Sequence, residues 1–126
     1  MARFRLSPLA EQDLEEILAW THEQSGEQGR LRYEALLVQA TLDLAADPTR
    51  PGCTTRRELS PGAFTYHLRY SRDHVPSSTG RVKKPRHFLL GRFTPDDCLE
   101  IARVLHDSMD LPQHLPPGFT QRVDAM

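Results

Sequence analysis

Three histidines, His67, His87 and His106, fall on segments that we predict to be β-strands. Imidazole can transfer protons near neutral pH and is also a common metal ligand. A metal site would need the three rings to converge with a further ligand and with supporting hydrogen bonds. The strand pattern does not establish that convergence, so we predict neither a metal nor another cofactor.

Positive charge is concentrated between residues 56 and 92, where nine arginines and lysines stand against two acidic residues, Glu58 and Asp73. The net charge of +7 over this stretch can steer an acidic partner or a nucleic acid toward one face of the protein. The alternative is a set of solvated charges that never come together. The cations with a predicted binding role are Arg69, Arg81, Lys83, Lys84, Arg86, Arg92 and Arg103.

Aromatic side chains among these cations would favour single-stranded nucleic acid, because bases stack on aromatic rings. Tyr66 and Tyr70 lie close to the basic stretch but occupy inward-facing positions of an alternating segment. We therefore interpret both as core residues. Trp20 and Tyr33 fall on two predicted helices, and we interpret them as packing between those helices.

The elements that must position these residues begin with a strand and two helices. Residues 2–6 alternate weakly and predict a short edge strand. Ser7 is a candidate N-cap, and Pro8 suits the first helical position because no N–H is needed there. Ser25-Gly26 predicts the end of this helix, and a second helix is predicted from about Glu27 to Ala46. So short a connection predicts an antiparallel helical hairpin.

The second helix carries a broad apolar stripe that includes Leu31, Ala35, Val38 and Leu42. An apolar arc of this width is typical of a helix that packs on a sheet and on a neighbouring helix at once. The stripe therefore predicts that these side chains are covered.

Three strands are predicted after the helices. Phe64 to Tyr70 alternates between apolar and polar residues, His87 to Phe93 is a second strand segment, and Leu99 to Leu105 is a third. Residues 74–85 connect the first two as a long basic hairpin loop. The order predicts an α+β fold, in which an N-terminal strand and an antiparallel helical hairpin precede a three-stranded antiparallel sheet.

The length of 126 residues predicts a single domain over residues 1–115, followed by an extended or disordered tail over residues 116–126. No run of 18 apolar residues occurs in the sequence, so no membrane-spanning helix is predicted. The start from Met1 to Pro8 lacks the apolar core of a signal peptide. We therefore expect a cytoplasmic protein.

Five short motifs follow one another along roughly residues 3–115. They are Leu6-Ser7-Pro8-Leu9-Ala10 with Asp13-Leu14, Leu44-Ala45-Ala46-Asp47-Pro48, Arg57-Glu58-Leu59-Ser60-Pro61-Gly62, Arg86-His87-Phe88, and Arg103-Val104-Leu105-His106 with Met109-Asp110-Leu111 and His114-Leu115. Taken in this order, they resemble the ParE branch of the RelE/ParE superfamily, the toxins of bacterial toxin–antitoxin pairs. The basic loop of residues 74–85 is longer than the tight turn typical of that family.

The resemblance implies a RelE-like fold that lacks the catalytic set of RelE ribonucleases, and hence a non-catalytic inhibitor. Characterised ParE toxins poison DNA gyrase by trapping its cleaved complex, and a ParD-type antitoxin usually neutralises them. A flexible part of the antitoxin folds along an apolar groove of the toxin, aided by complementary charge. The implied partners are therefore a ParD-like antitoxin, DNA gyrase and gyrase-bound DNA, in a toxin–antitoxin hetero-oligomer. For the basic stretch, contact with the antitoxin is the first interpretation.

Two alternatives stay open. By resemblance, His106 lies where some RelE-like ribonucleases have a catalytic histidine, near the end of the last strand. Arg103 and neighbouring cations would then hold the scissile phosphate of an mRNA. Both residues also belong to the gyrase-type motif, in which no RNA chemistry is expected. The other alternative is a degenerate toxin that acts only as a binding or regulatory module.

Overall fold

The computed structural model describes residues 3–76 and 78–119 and contains one helical segment and five strands. Three short 3₁₀ turns, Leu68–Tyr70, Arg72–His74 and Leu111–His114, lie between or after the strands. None of the described helices is long and apolar enough to cross a membrane. The helix and strands are β1 (Arg3–Leu6), α1 (Pro8–Ala46), β2 (Cys53–Thr55), β3 (Ala63–His67), β4 (His87–Phe93) and β5 (Cys98–His106).

The five strands form one mixed sheet in the order β1-β5-β4-β3-β2. β1 pairs with β5 in parallel, and the other neighbours pair antiparallel. The α+β class is confirmed, but the predicted strand count is wrong, because β2 adds an edge strand and β1 joins the same sheet. β2 has three residues, Cys53–Thr55, which is too short for a period of two to be recognised in the sequence.

The two predicted helices are a single helical segment, α1, with a bend inside it. Gly26 is non-helical, with φ 74° and ψ −173°, a conformation that glycine reaches at little cost. The predicted hairpin of separate helices is therefore wrong in form, since helical residues continue directly on both sides of Gly26. In a straight helix Leu14 and Thr41 would lie about 40 Å apart. They line one surface groove instead, so the two halves of α1 run alongside each other.

The start of α1 is confirmed as predicted and is tied to the sheet. The hydroxyl oxygen of Ser7 accepts the N–H of Ala10 at 3.0 Å, and Pro8 occupies the first helical position. The same hydroxyl donates to the carbonyl oxygen of Ala102 on β5 at 2.7 Å. The N-cap therefore fixes the helix to the strand that lies beside β1.

The strand predicted from Phe64 to Tyr70 ends earlier, at His67. Nδ1 of His67 accepts the N–H of Arg69 at 3.1 Å and begins a 3₁₀ turn there. Tyr66 is buried, as expected, but Tyr70 is 40% exposed, so its interpretation as a core residue is wrong. The ring of Tyr70 covers Gly52, where a Cβ would lie 2.4 Å from it.

Two hydrophobic clusters lie on opposite faces of the sheet. The larger one joins α1 to the sheet through residues such as Leu36, Leu44 and Leu89. The smaller one is covered by the chain after β5, including Leu111 and Phe119, of which Phe119 is 2% exposed. The packed domain thus reaches residue 119, four residues beyond the predicted boundary at 115. Residues 120–126 of the predicted tail lie outside the described residues.

Candidate functional site

A cleft rich in positive charge opens where the bend of α1 meets the loop before β4 and the ends of β4 and β5. Its volume is about 460 Å³, and none of the described residues that line it is acidic. We call it the basic cleft and define it by two groups of side chains. They are the cations Arg32, Arg81, Lys83, Lys84 and Arg86, and the rings of Trp20, Tyr33, His87 and His106.

Strands β4 and β5 bring two of the predicted histidines together at this cleft. His87 and His106 are paired in the register of the two strands, and their ring centroids are 5.3 Å apart, edge to face. Tyr33 approaches from α1, and its hydroxyl oxygen lies 2.5 Å from Nδ1 of His87. The sheet therefore supplies both imidazoles, and the helix supplies the phenol beside them.

The inner pair, Tyr33 and His87, is uncharged at neutral pH. Burial, together with the nearby ring of His106, lowers the pKa of His87 to about 4. Burial also raises the pKa of Tyr33 to about 12. The Tyr33 hydroxyl oxygen accepts the N–H of Arg86 at 3.3 Å, which leaves its own proton to donate to Nδ1 of His87. Nδ1 of His87, the ring nitrogen that could accept a proton, is therefore already hydrogen-bonded to the Tyr33 hydroxyl.

His106 is the partly exposed imidazole of the basic cleft. Its Nδ1 accepts the N–H of Ser108 at 3.1 Å and lies 2.7 Å from the hydroxyl oxygen of the same residue. With Nδ1 acting as the acceptor, the neutral ring carries its proton on Nε2. In this state His106 can donate a hydrogen bond to a ligand, but it lacks a free nitrogen to accept a proton.

His67 does not join the other two histidines. It is paired with Phe88 and lies on the opposite face of the sheet, so the three rings do not converge. Nε2 of His67 lies 3.0 Å from Oδ2 of Asp107. Among the described residues, no group of three or more His, Cys, Asp or Glu side chains is arranged to hold a metal ion.

Four of the seven predicted binding cations line the basic cleft, and they differ in their partners. Arg86 holds Asp107 with three contacts between 2.9 and 3.1 Å, which keeps the pKa of that carboxyl well below its usual range. Arg81 lies 3.8 Å from Asp73. Lys83 and Lys84 form no ion pair within residues 3–76 and 78–119. Among these four predicted cations, the two lysines are therefore the most available to a ligand.

Arg103 is not at the cleft, because a carboxylate on α1 holds it. Nε and Nη2 of Arg103 each donate to Asp13 at 2.8 Å, and Nη1 donates to the carbonyl oxygen of His114 at 3.0 Å. Asp13 is 8% exposed and also accepts the N–H of Val104 at 3.0 Å. The last pair between β1 and β5 is Leu6 with Ile101. Beyond it, the Asp13 carboxylate takes the place of a strand and accepts the backbone N–H of Val104 on β5. Arg103 is thus placed as part of a structural clamp.

The other two predicted cations also lie elsewhere. Arg69 stacks on the ring of Tyr70, with its guanidinium carbon 4.9 Å from the ring centroid. Arg92 pairs with Glu100 at 3.3 Å and stacks on Phe119 at 4.8 Å. Both guanidinium groups therefore brace the protein's own aromatic and acidic side chains.

Trp20 is the cleft residue that sequence reasoning interpreted wrongly. It was expected to pack between helices, but 61% of it is exposed and its indole lines the basic cleft. A signal for this was present, because Trp20 falls outside the helical spacing that Leu14, Ile17 and Leu18 follow. Arg32 was also missed, since it stands on α1, far in sequence from the basic stretch.

A second surface feature, the apolar groove, lies between the two halves of α1 and the edge strand β1. Val38 is 54% exposed there, and Phe4 and Leu42 are exposed with it, so the expectation that the whole stripe is covered is wrong. Its other apolar lining residues include Leu14 and Leu18 from the first half of α1. An open apolar groove of this kind suits an amphipathic segment of a partner.

The family is decided by comparison with known proteins. The family model described as the ParE toxin of the type II toxin-antitoxin system, parDE, matches residues 4–111. The chain belongs to the ParE toxin family. No curated protein matches it.

The structure of this ParE-family protein is similar to a chain of the RelBE2 toxin–antitoxin complex from Mycobacterium tuberculosis. The two are 23% identical, with a TM-score of 0.51, and the match covers 83% of this chain and 96% of that chain. At this identity the likeness shows the fold, which is RelE-like. Within it, Ser7 and Asp13 of the first motif both bind β5, Ser7 at the carbonyl oxygen of Ala102 and Asp13 at the side chain of Arg103.

Proposed function

We propose that this ParE-family protein is the toxin of a type II toxin–antitoxin pair, that it inhibits DNA gyrase by binding, and that a ParD-like antitoxin neutralises it. The hydrogen bonds of the two cleft histidines support inhibition by binding, without catalysis. Nδ1 of His106 accepts a backbone N–H, and Nδ1 of His87 faces the Tyr33 hydroxyl. Both Nδ1 atoms are occupied as acceptors, and neutral His106 has a donor at Nε2, so the pair suits the binding of an anion better than the removal of a proton.

The position of Arg103 supports the same proposal. A ribonuclease needs cations that contact the scissile phosphate, and they must be free to do so. Nε and Nη2 of Arg103 donate hydrogen bonds to the Asp13 carboxylate at 2.8 Å, and Nη1 donates to the carbonyl oxygen of His114. A residue held in this way stabilises the fold of the toxin and does not reach the cleft.

The gyrase proposal is tested with purified gyrase and relaxed plasmid DNA. The protein at micromolar concentration is expected to inhibit supercoiling and to increase the linear DNA that forms when cleaved complexes are trapped. An equal concentration of the protein premixed with its antitoxin is the control and should restore supercoiling. Supercoiling that is unaffected by the free protein would refute gyrase as the target.

The antitoxin part of the proposal is supported by the apolar groove. Its rim carries Phe4, Val38 and Leu42, which are exposed in the toxin alone and need a partner to be removed from water. Glu34 is the acidic residue on its wall, so the groove itself is mainly apolar and the charged contacts must lie around it. Expression beside the upstream or downstream open reading frame, followed by co-purification, tests whether that partner is encoded next to the toxin.

A RelE-like ribonuclease is the second candidate, because His106 and the cations Lys83, Lys84 and Arg86 do line one cleft. In this case the imidazolium form of His106, with a proton on each ring nitrogen, would give its Nε2 proton to the leaving oxygen as a general acid and return to the neutral ring. The candidate predicts that His106→Ala abolishes mRNA cleavage and growth arrest while antitoxin binding is retained. Full toxicity of that variant would eliminate the ribonuclease.

A further inference from the structure

The basic cleft combines features that fit one class of ligand. Its described lining carries five cations and no carboxylate. Arg86 is paired with Asp107 and Arg81 lies 3.8 Å from Asp73, so Arg32, Lys83 and Lys84 supply the positive charge that suits a polyanion. The cleft also carries the indole of Trp20, which is 61% exposed and therefore offers a free aromatic face beside the cations. We propose that the basic cleft binds a single-stranded segment of nucleic acid, with a base stacked on Trp20 and the adjoining phosphates on Lys83 and Lys84.

The rings beside the cations favour this ligand over an acidic peptide. Bases stack on aromatic faces whatever their sequence. The carboxylate of a glutamate or aspartate is instead repelled by the negative π face of an indole. His106 presents its Nε2–H, and a phosphate oxygen or a base carbonyl can accept it. An acidic peptide would be satisfied by the cations alone and would leave the function of the exposed Trp20 unexplained.

The wall that carries the lysines is anchored, so the cleft is largely formed before a ligand arrives. Nη1 of Arg72 donates to the carbonyl oxygen of Lys83 at 2.9 Å, and Gly80 lies against the Arg32 side chain with a positive φ of 89°. A Cβ at Gly80 would lie 2.8 Å from Nε of Arg32, so glycine permits the close approach of the loop to α1. The long basic loop is thereby held at the mouth of the cleft.

This inference does not depend on gyrase being the target, because the cleft can bind a strand in the absence of any enzyme. The shared chemistry is a phosphate backbone with unstacked bases, which single-stranded DNA and single-stranded RNA both have. DNA opened by a topoisomerase and an mRNA both offer that chemistry. The two sources are separated by comparing oligothymidylate with oligouridylate of equal length.

The test uses the single tryptophan of the chain as its reporter. Oligothymidylate is titrated into the full-length protein while Trp20 fluorescence is followed, and anisotropy of a labelled oligonucleotide gives the affinity independently. Saturable quenching is expected. Lys83→Ala/Lys84→Ala should bind about tenfold more weakly, and the salt dependence of log K should fall by about 0.7 for each lost phosphate contact.

The matched control removes two positive charges elsewhere. Arg57 and Arg69 are exposed and lie outside the basic cleft, so Arg57→Ala/Arg69→Ala should retain the affinity. Trp20→Ala should lose about tenfold in the anisotropy assay, and Trp20→Phe should recover part of it because a stacking face remains. Circular dichroism of each variant confirms that the fold is intact.

Three results would overturn the proposal. One is the absence of Trp20 quenching by either oligonucleotide. Another is an equal loss in the cleft and control variants, since only net charge would then matter. The third is that polyphosphate or polyglutamate binds as tightly as the oligonucleotides and quenches Trp20 as strongly. None of these results bears on gyrase inhibition, which the supercoiling assay tests. Nucleic-acid binding by the cleft and inhibition of gyrase can therefore be refuted separately.

Discussion

The clamp between Asp13 and Arg103 allows a quantitative prediction about stability. Asp13→Ala removes the acceptor of three hydrogen bonds, two from Arg103 at 2.8 Å and one from Val104 N–H at 3.0 Å. Removing one partner of a buried ion pair costs about 3–5 kcal/mol. Arg103 is 19% exposed in its side chain and retains its bond to the His114 carbonyl, which favours the lower end of that range. We expect a loss of about 3 kcal/mol in the free energy of unfolding.

The assay is urea unfolding followed by far-UV circular dichroism, with thermal unfolding as a second readout. At about 4 °C for each kcal/mol in a domain of this size, the melting temperature should fall by about 12 °C. Asp13→Ala/Arg103→Met should lose less than the sum of its single variants, because it leaves no unpaired buried charge. Arg5→Ala breaks an ion pair with Glu100 whose arginine side chain is 56% exposed, and it should cost under about 1 kcal/mol. A loss below about 1 kcal/mol for Asp13→Ala would refute the clamp.

Two further predictions concern the apolar groove and the buried imidazole. Leu42→Asp places a charge on the exposed apolar groove and should weaken antitoxin binding at least about tenfold, as measured by calorimetric titration. The melting temperature of the free protein should change little. An unchanged affinity would show that the antitoxin binds elsewhere. His87 has its pKa lowered from 6.5 to about 4 in the folded state, so the unfolded state binds the proton more readily. The stabilising effect is complete above pH 6.5 and is lost as the pH falls toward 4, a decrease of about 3 kcal/mol in the free energy of unfolding. His87→Phe should flatten this decrease, and an equally steep profile in the variant would show that other groups cause it.

Local signals predicted the parts of the fold that depend on neighbouring residues. Ser7 and Pro8 marked the start of α1 because capping acts within one helical turn, and β4 follows the predicted bounds from His87 to Phe93. The bend at Gly26 was expected to be a helix end, since glycine signals either outcome and only packing decides between them. β2 was missed, because three residues carry no measurable period and its pairing depends on β3.

The candidate site was predictable only where its residues are close together in the sequence. Lys83, Lys84 and Arg86 stand out as a local run of charge, and the cleft does contain them. The partner of Arg103 is 90 residues away in the chain, so no local pattern indicates that Asp13 neutralises it. The face of His67 was also inaccessible, because it depends on the register of β3 and β4, which places His67 opposite Phe88 and not opposite His87. Ion pairs between residues far apart in the sequence therefore determine which cations are available to a ligand.

The central claim is that this ParE-family protein acts as a toxin by poisoning gyrase without cleaving RNA. Inducible expression in bacteria tests it most directly, with the DNA-damage response and the integrity of mRNA followed in the same cultures. We predict growth arrest with filamentous cells, DNA breaks and intact mRNA. Arrest with cleaved mRNA and no DNA-damage response would contradict it and establish the ribonuclease, and the absence of arrest would indicate a degenerate toxin.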